Sequence, residues 1–162
     1  MHDKRITLRR LAAIAFAANL PLGATAPAFA QSDPIRIGLI LPMTGPFAST
    51  GRQVEAAAKL YMAQHGSTVA GRKVELIVKD DGGTADVTRR LAQELVVNDK
   101  VAVLAGFGLT PLALATAPIA TQSKTPMVVM AAATSSIIDA SPFIVRTSFT
   151  LPGRAVITST RS

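Results

Sequence analysis

The stretch Ile35-Arg36-Ile37-Gly38-Leu39-Ile40-Leu41-Pro42-Met43-Thr44-Gly45-Pro46 decides the reading of the fold. Its first seven residues are rich in β-branched isoleucine and almost continuously apolar, the pattern of a buried parallel strand. Pro42, Gly45, Pro46 and then Gly51 break the run, so residues 42–51 read as a loop. Over residues 52–64, Val54, Ala57, Ala58, Tyr61 and Met62 recur at helical spacing, with Arg52, Glu55 and Lys59 toward water, and Gly66 ends the helix. Strand, loop and helix make one unit of an α/β fold.

The unit then repeats. Residues 73–79 read as a second strand, closed by Asp80-Asp81-Gly82-Gly83. Thr84 or Asp86 can cap a helix running to about residue 98, with Leu91, Leu95 and Val96 on its inner face. Residues 101–105 form a third strand and 106–110 a loop. Pro111 suits the first position of a helix reaching about residue 122, which Pro118 should kink or shorten. Residues 127–130 are a fourth strand, 131–136 a loop of small and hydroxyl residues, and 143–147 a fifth strand. Strands alternating with single helices imply an α/β layer with right-handed crossovers and a mainly parallel, Rossmann-like sheet. Ligands of such sheets sit at the carboxyl ends of strands, which selects residues 42–51, 106–111 and 131–136.

The first thirty residues stand apart. Lys4, Arg5, Arg9 and Arg10 open the chain, an apolar stretch covers residues 11–22, and Ala28-Phe29-Ala30 places small residues where a signal peptidase reads. This is the layout of a cleaved secretory signal with Gln31 as the new amino terminus. The stretch is shorter than the roughly 20 apolar residues a membrane span needs. The general secretory route fits better than the twin-arginine route, because the residues after Arg9-Arg10 do not continue that pattern.

The formal charge of +7 belongs largely to this segment and the last ten residues together; without the segment the chain has 13 basic and nine acidic residues. Two of those bases, Arg154 and Arg161, lie in the last ten residues, and the others are interleaved with acids. With no basic run and no aromatic platform, the composition does not support nucleic-acid binding. The remaining 132 residues suffice for one domain with a modest core. With no cysteine there is no disulfide, no thiol chemistry and no lipid-modified cysteine, so the processed product is expected free in the periplasm, without stable membrane insertion.

Gly106-Phe107-Gly108-Leu109-Thr110-Pro111 has the features of an anion site. Its glycines permit close backbone approach, and Thr110, at the N-cap position before Pro111, adds a hydroxyl to the positive end of a helix. The alternative is that Thr110 only caps its own helix. A nucleotide-cofactor enzyme on a Rossmann-like sheet would need this loop to hold a pyrophosphate. Against it, Pro111 replaces the third glycine, the motif follows the third strand, and no acid ends the next strand. In Ala131-Ala132-Ala133-Thr134-Ser135-Ser136 the small side chains leave room for a ligand and Thr134 can donate a hydrogen bond; again a simple cap is the alternative. Asp80-Asp81 reads as a turn and cap. His65, the one histidine after the leader, sits at a helix end where it meets the dipole. No nucleophile is placed beside a base, so no catalytic site, metal or cofactor is implied.

The opening strand with its Pro-x-Thr-Gly-Pro turn resembles the leucine/isoleucine/valine-binding receptors of ABC transporters. Gly51 with residues 56–60 is similar to their first helix, Val78-Lys79-Asp80-Asp81 to their second strand and acidic turn, and residues 126–134 to their fourth strand and Ala-Thr-Ser loop. The resemblance runs from about Ile35 to Pro152. It implies the first lobe of a type I periplasmic binding protein, whose ligand is held between two hinged lobes and passed to an inner-membrane ABC permease. Carried over by position, a small carboxylate or amino acid would meet Thr110, the backbone of Gly108 and Leu109, Ala132 and Thr134, with Thr50 at the cleft rim. The family usually has serine at Thr110. Leu109-Thr110-Pro111 is more apolar than the serine-rich loops of amino-acid binders and is similar to those of receptors for aromatic acids.

Residues 153–162 depart from the family pattern, and the resemblance stops where a helix of the first lobe should continue. The expectation is a first lobe that is incomplete, with the hinge and second lobe lost to a frameshift or premature stop near codon 152. Binding by half a cleft should then be strongly weakened.

Overall fold

The computed structural model describes residues 33–150; the expected export signal and the tail from residue 153 lie outside them. Strand β1 (Ile35–Leu41) has the bounds its composition predicts. After it come α1 (Ala48–His65), β2 (Thr68–Val69), β3 (Arg72–Asp80), α2 (Ala85–Val97), β4 (Val103–Gly106), α3 (Thr110–Ser123), β5 (Met127–Val129), a 3-10 helix (Ser135–Ala140) and β6 (Ile144–Arg146). The sheet order is β2-β3-β1-β4-β5-β6. All neighbours run parallel except β2, which turns back antiparallel on β3. The α/β reading is met.

Alternation along β1 divides the core into two layers. Ile40 faces α2 and α3, in a cluster with Leu91, Leu95, Leu104, Ala117, Met127 and Val129. Leu39 and Leu41 face the other side, where Val54 and Ala58 of α1 pack with Ala105 and Val78. Topology locates the crevice. From β1 the chain passes through α1 to β3 on one side; from β4 it passes through α3 to β5 on the other. The order therefore reverses between β1 and β4, and the carboxyl ends of these adjacent strands open the switch-point crevice of a doubly wound sheet.

Four sequence expectations are corrected. First, α1 begins at Ala48, within the residues read as a loop. Gly51 is a contact glycine inside the helix: a Cβ there would fall 2.2 Å from the Pro42 carbonyl oxygen. Second, Tyr61 and Ala57 are not on the inner face; Tyr61 is 64% exposed and stacks on the His65 ring at 4.2 Å, Ala57 is exposed, and the half-buried stripe is Val54, Ala58 and Met62. Third, α3 runs through Pro118. Pro118 and Leu114 lie on its exposed side, where a carbonyl deprived of its donor can turn to water, while Ala113, Ala117 and Ala120 hold the buried side. Fourth, the β2–β3 hairpin was not foreseen. Ala70 and Gly71, with φ of 50° and 76°, make its tight turn.

Candidate ligand-binding site

Three loops meet at the carboxyl ends of β1, β4 and β5, and Pro42 is the hinge-pin between the first two. Gly51 presses on its carbonyl, and a Cβ on Gly108 would meet its ring Cγ at 2.9 Å. The chain leaves β4 in an unusual conformation: Gly106 and Phe107 have φ of 111° and 63°. A side chain on Gly106 would strike the Ile40 carbonyl at 2.3 Å. Phe107 is a bulky residue in the left-handed region, held there by a fully buried ring and by its amide donating to Ile40 O at 2.9 Å. The Phe107 carbonyl in turn accepts from the Ala132 amide at 2.9 Å, and the Gly106 carbonyl from the Met130 amide at 2.8 Å. The loops after β4 and β5 are thus stitched by backbone.

At the mouth of this arrangement the hydroxyls of Thr110 and Thr134 lie 2.8 Å apart, both residues partly exposed. Thr110 is the first residue of α3, not its N-cap; Leu109 takes that place, with extended φ and ψ and no side-chain cap, and Pro111 moves to the second position. Thr134 precedes the 3-10 helix, again with no side-chain cap. The capping alternative therefore describes neither hydroxyl. In the first turn of α3 the amides of Leu109, Thr110 and Leu112 come before the first intrahelical bond, which Ala113 donates to Leu109 O at 3.1 Å. Two hydroxyls and these amides at a helix amino end are donors of the kind an anionic oxygen can accept from.

The other predicted residues fall around this pair with different duties. Gly108 and Leu109 form the approach to α3 and are partly exposed. Ala132 is buried, its amide spent on Phe107 and its carbonyl accepting from the Ser148 hydroxyl at 3.4 Å, so it shapes the loop from behind. Thr50 lies in the first turn of α1, where its amide donates to Phe47 O, not in a free loop.

Two features escaped the sequence reading. Asp80 is a clamp as well as a turn residue. Its Oδ1 accepts from the Met43 amide (2.9 Å) and the Gly82 amide (3.1 Å), and its Oδ2 from the Thr44 hydroxyl (2.7 Å). The Thr44 hydrogen bond, with help from the amides, holds the Asp80 carboxyl below the usual carboxylate range. Asp81 is its opposite. It is fully enclosed, accepts from the Gly83 amide at 2.8 Å and leaves Oδ2 without a partner, and burial pushes its carboxyl up. The second feature is Arg146, whose guanidinium donates to the carbonyls of Ala133, Thr134 and Ser135. A lone cation in an apolar strand was its signal.

No helix among the described residues is long and apolar enough to cross a membrane, and they contain no cluster of three or more metal-ligating side chains. Surface grooves along α2 and α3, lined by Val96, Val97 and Ile119 among others, do not reach the three loops.

Residues 34–156 match the family model described as periplasmic binding protein. A Leu/Ile/Val-binding protein homolog 6 of Brucella abortus is 44% identical over 148 residues, covering 91% of this chain. Among solved structures, a solute-binding protein of an ABC transporter from Rhodopseudomonas palustris BisB5, in complex with 3,4-dihydroxybenzoic acid, is 64% identical with a TM-score of 0.72 over 73% of this chain. Another from R. palustris, in complex with 4-hydroxybenzoate, is 41% identical with a TM-score of 0.73 over 79%. The chain spans 36% of the Brucella protein and 32% and 36% of the two solved chains. With its parallel sheet, its switch-point crevice and a match over most of its length, the chain belongs to the periplasmic binding protein family.

Proposed function

We propose that this chain supplies one wall of the cleft of an ABC-transporter solute-binding protein for a small carboxylate, either a branched-chain amino acid or an aromatic acid. The observation that carries the reading is the uncapped pair Thr110 and Thr134, 2.8 Å apart at the amino end of α3. Hydroxyls that do not cap their helices are available to a carboxylate, as are the first-turn amides beside them. The relatives that bind hydroxybenzoates, and the apolar Leu109-Thr110-Pro111 entry, support an aromatic or otherwise apolar ligand body. Function is capture and delivery without covalent chemistry. The ligand is passed to an inner-membrane permease, in the periplasm, after removal of residues 1–30 as an export signal.

Binding by one wall is expected to be weak, because the second wall of a closing cleft supplies much of the buried area. Saturation-transfer NMR on the 162-residue chain, with 4-hydroxybenzoate and leucine as ligands and NAD as control, tests the reading. Transfer to at least one carboxylate and none to NAD is expected. Transfer to NAD alone would replace it with a nucleotide site.

A further inference from the structure

The end of β3 holds Pro42 from both sides. Leu41, before it, accepts at its carbonyl from the Asp81 amide at 3.0 Å. Met43, after it, donates its amide to Asp80 Oδ1 at 2.9 Å, and the Thr44 hydroxyl donates to Asp80 Oδ2 at 2.7 Å. The Gly82 amide donates to Oδ1 at 3.1 Å, so the carboxylate is itself fixed. Hydrogen bonds to an ionised carboxylate are roughly twice as strong as neutral ones, which makes Asp80 a firm tether for residues 43 and 44.

The tethered turn lies between two walls of the crevice. Pro42 is fully buried. Its ring closes on Gly108, where a Cβ would meet Cγ at 2.9 Å and Cδ at 3.0 Å, and Gly108 leads directly into Leu109 and Thr110 at the amino end of α3. Its carbonyl closes on Gly51, the residue after Thr50 in the first turn of α1, and a Cβ there would also lie 3.2 Å from the Met43 sulfur. Interiors packed this closely transmit a shift of one residue to its neighbours. We infer that Asp80 is a positioning residue for the ligand site: through Met43 and Thr44 it fixes Pro42, and through Pro42 it sets the amino end of α3 against that of α1. The inference rests on the carboxylate-binding reading and gives the acidic turn after β3 a part in affinity.

Charge makes the test discriminating, because it acts in the opposite direction. Asp80 stands at the same end of the parallel sheet as Thr110 and Thr134, so its negative charge opposes an anionic ligand. If charge decided, Asp80→Asn would bind a carboxylate more tightly. If the tether served folding alone, the folded variant would bind unchanged. Positioning predicts binding about fivefold weaker, the affinity equivalent of one net hydrogen bond. Dissociation constants for 4-hydroxybenzoate come from amide-shift titrations of the 162-residue chain at neutral pH, at a temperature where each variant is folded. Thr44→Val, which removes one donor and keeps the charge, should weaken binding about threefold, and Thr44→Ser should stay within about twofold of the unsubstituted chain. In a Pro42→Ala background, Asp80→Asn should change affinity by less than about twofold, because the link it acts through is gone. Unchanged or tighter binding in folded Asp80→Asn overturns the inference and leaves the carboxylate reading standing, as does a full effect in the Pro42→Ala background. Should Asp80→Asn not fold, Thr44→Val decides, and unchanged binding there overturns the inference. If neither 4-hydroxybenzoate nor leucine shifts any resonance of the unsubstituted chain, the carboxylate reading fails and the inference falls with it.

Discussion

The hydroxyl oxygens of Thr110 and Thr134 lie 2.8 Å apart and join the start of α3 to the loop after β5 across 24 positions of sequence. Neither caps the helix it precedes or begins. The bond they share is one a ligand oxygen can enter, because each hydroxyl has further acceptor or donor capacity and each residue is partly exposed.

Thr134→Val should therefore weaken carboxylate binding about tenfold, while costing the fold no more than about 1 kcal/mol, the typical net value of a partly exposed hydrogen bond. Thr134→Ser should keep affinity within a few-fold. Amide-shift titration with 4-hydroxybenzoate and urea denaturation of the same variants separate the two quantities. A Val variant that loses stability but binds unchanged would assign the pair to structure alone.

Gly51→Ala tests the packing behind the site. The new Cβ would fall 2.2 Å from the Pro42 carbonyl oxygen, a backbone atom that cannot step aside cheaply. The expected cost is about 2–4 kcal/mol in urea denaturation. An exposed control at Ala57→Ser should change little.

The two adjacent carboxyls respond to pH in opposite senses. Asp81 titrates above its ordinary value, through burial and the neighbouring charge of Asp80, offset in part by the Gly83 amide. A raised pKa means the folded state pays for ionisation in full above that pKa, and the penalty fades as pH falls toward the ordinary carboxylate value. Asp81→Asn should thus stabilise the chain at pH 7, on the order of 1 kcal/mol, and the gain should vanish on acidification. Asp80 is lowered, first by Thr44, so its contribution is complete above the ordinary value and is lost as pH falls through the lowered one. Asp80→Asn should destabilise at pH 7. Thermal melts of both variants between pH 3 and 7, roughly the span over which carboxyls titrate, check both signs.

Local signals were legible wherever one residue type has one meaning. An almost continuously apolar, isoleucine-rich run gave β1 its bounds, and Leu91 and Leu95 proved to be buried as their spacing required. Glycine and proline misled because each has two uses. Gly51 was read as a breaker but serves close approach within α1, and Pro118 was read as a kink but lies where water can replace the lost bond. Thr110 was misplaced by one residue, and that one residue separates a hydroxyl that caps its helix from one that bonds Thr134. The ties that build the site are non-local. Thr110 to Thr134, Ala132 to Phe107, and Arg146 to residues 133–135 join loops whose proximity comes from strand order, which periodicity does not contain.

The central claim is that a carboxylate sits between Thr110 and Thr134 at the amino end of α3. It is tested most directly by a residue-resolved amide-shift titration of the 162-residue chain with 4-hydroxybenzoate. Saturating shifts centred on Leu109, Thr110, Leu112 and Thr134 are predicted, with α2 and the β2–β3 hairpin undisturbed. Saturating shifts centred instead on Val96, Val97 and Ile119, or no shift at up to about 10 mM ligand, where even a Kd near 1 mM would saturate the site, would contradict it.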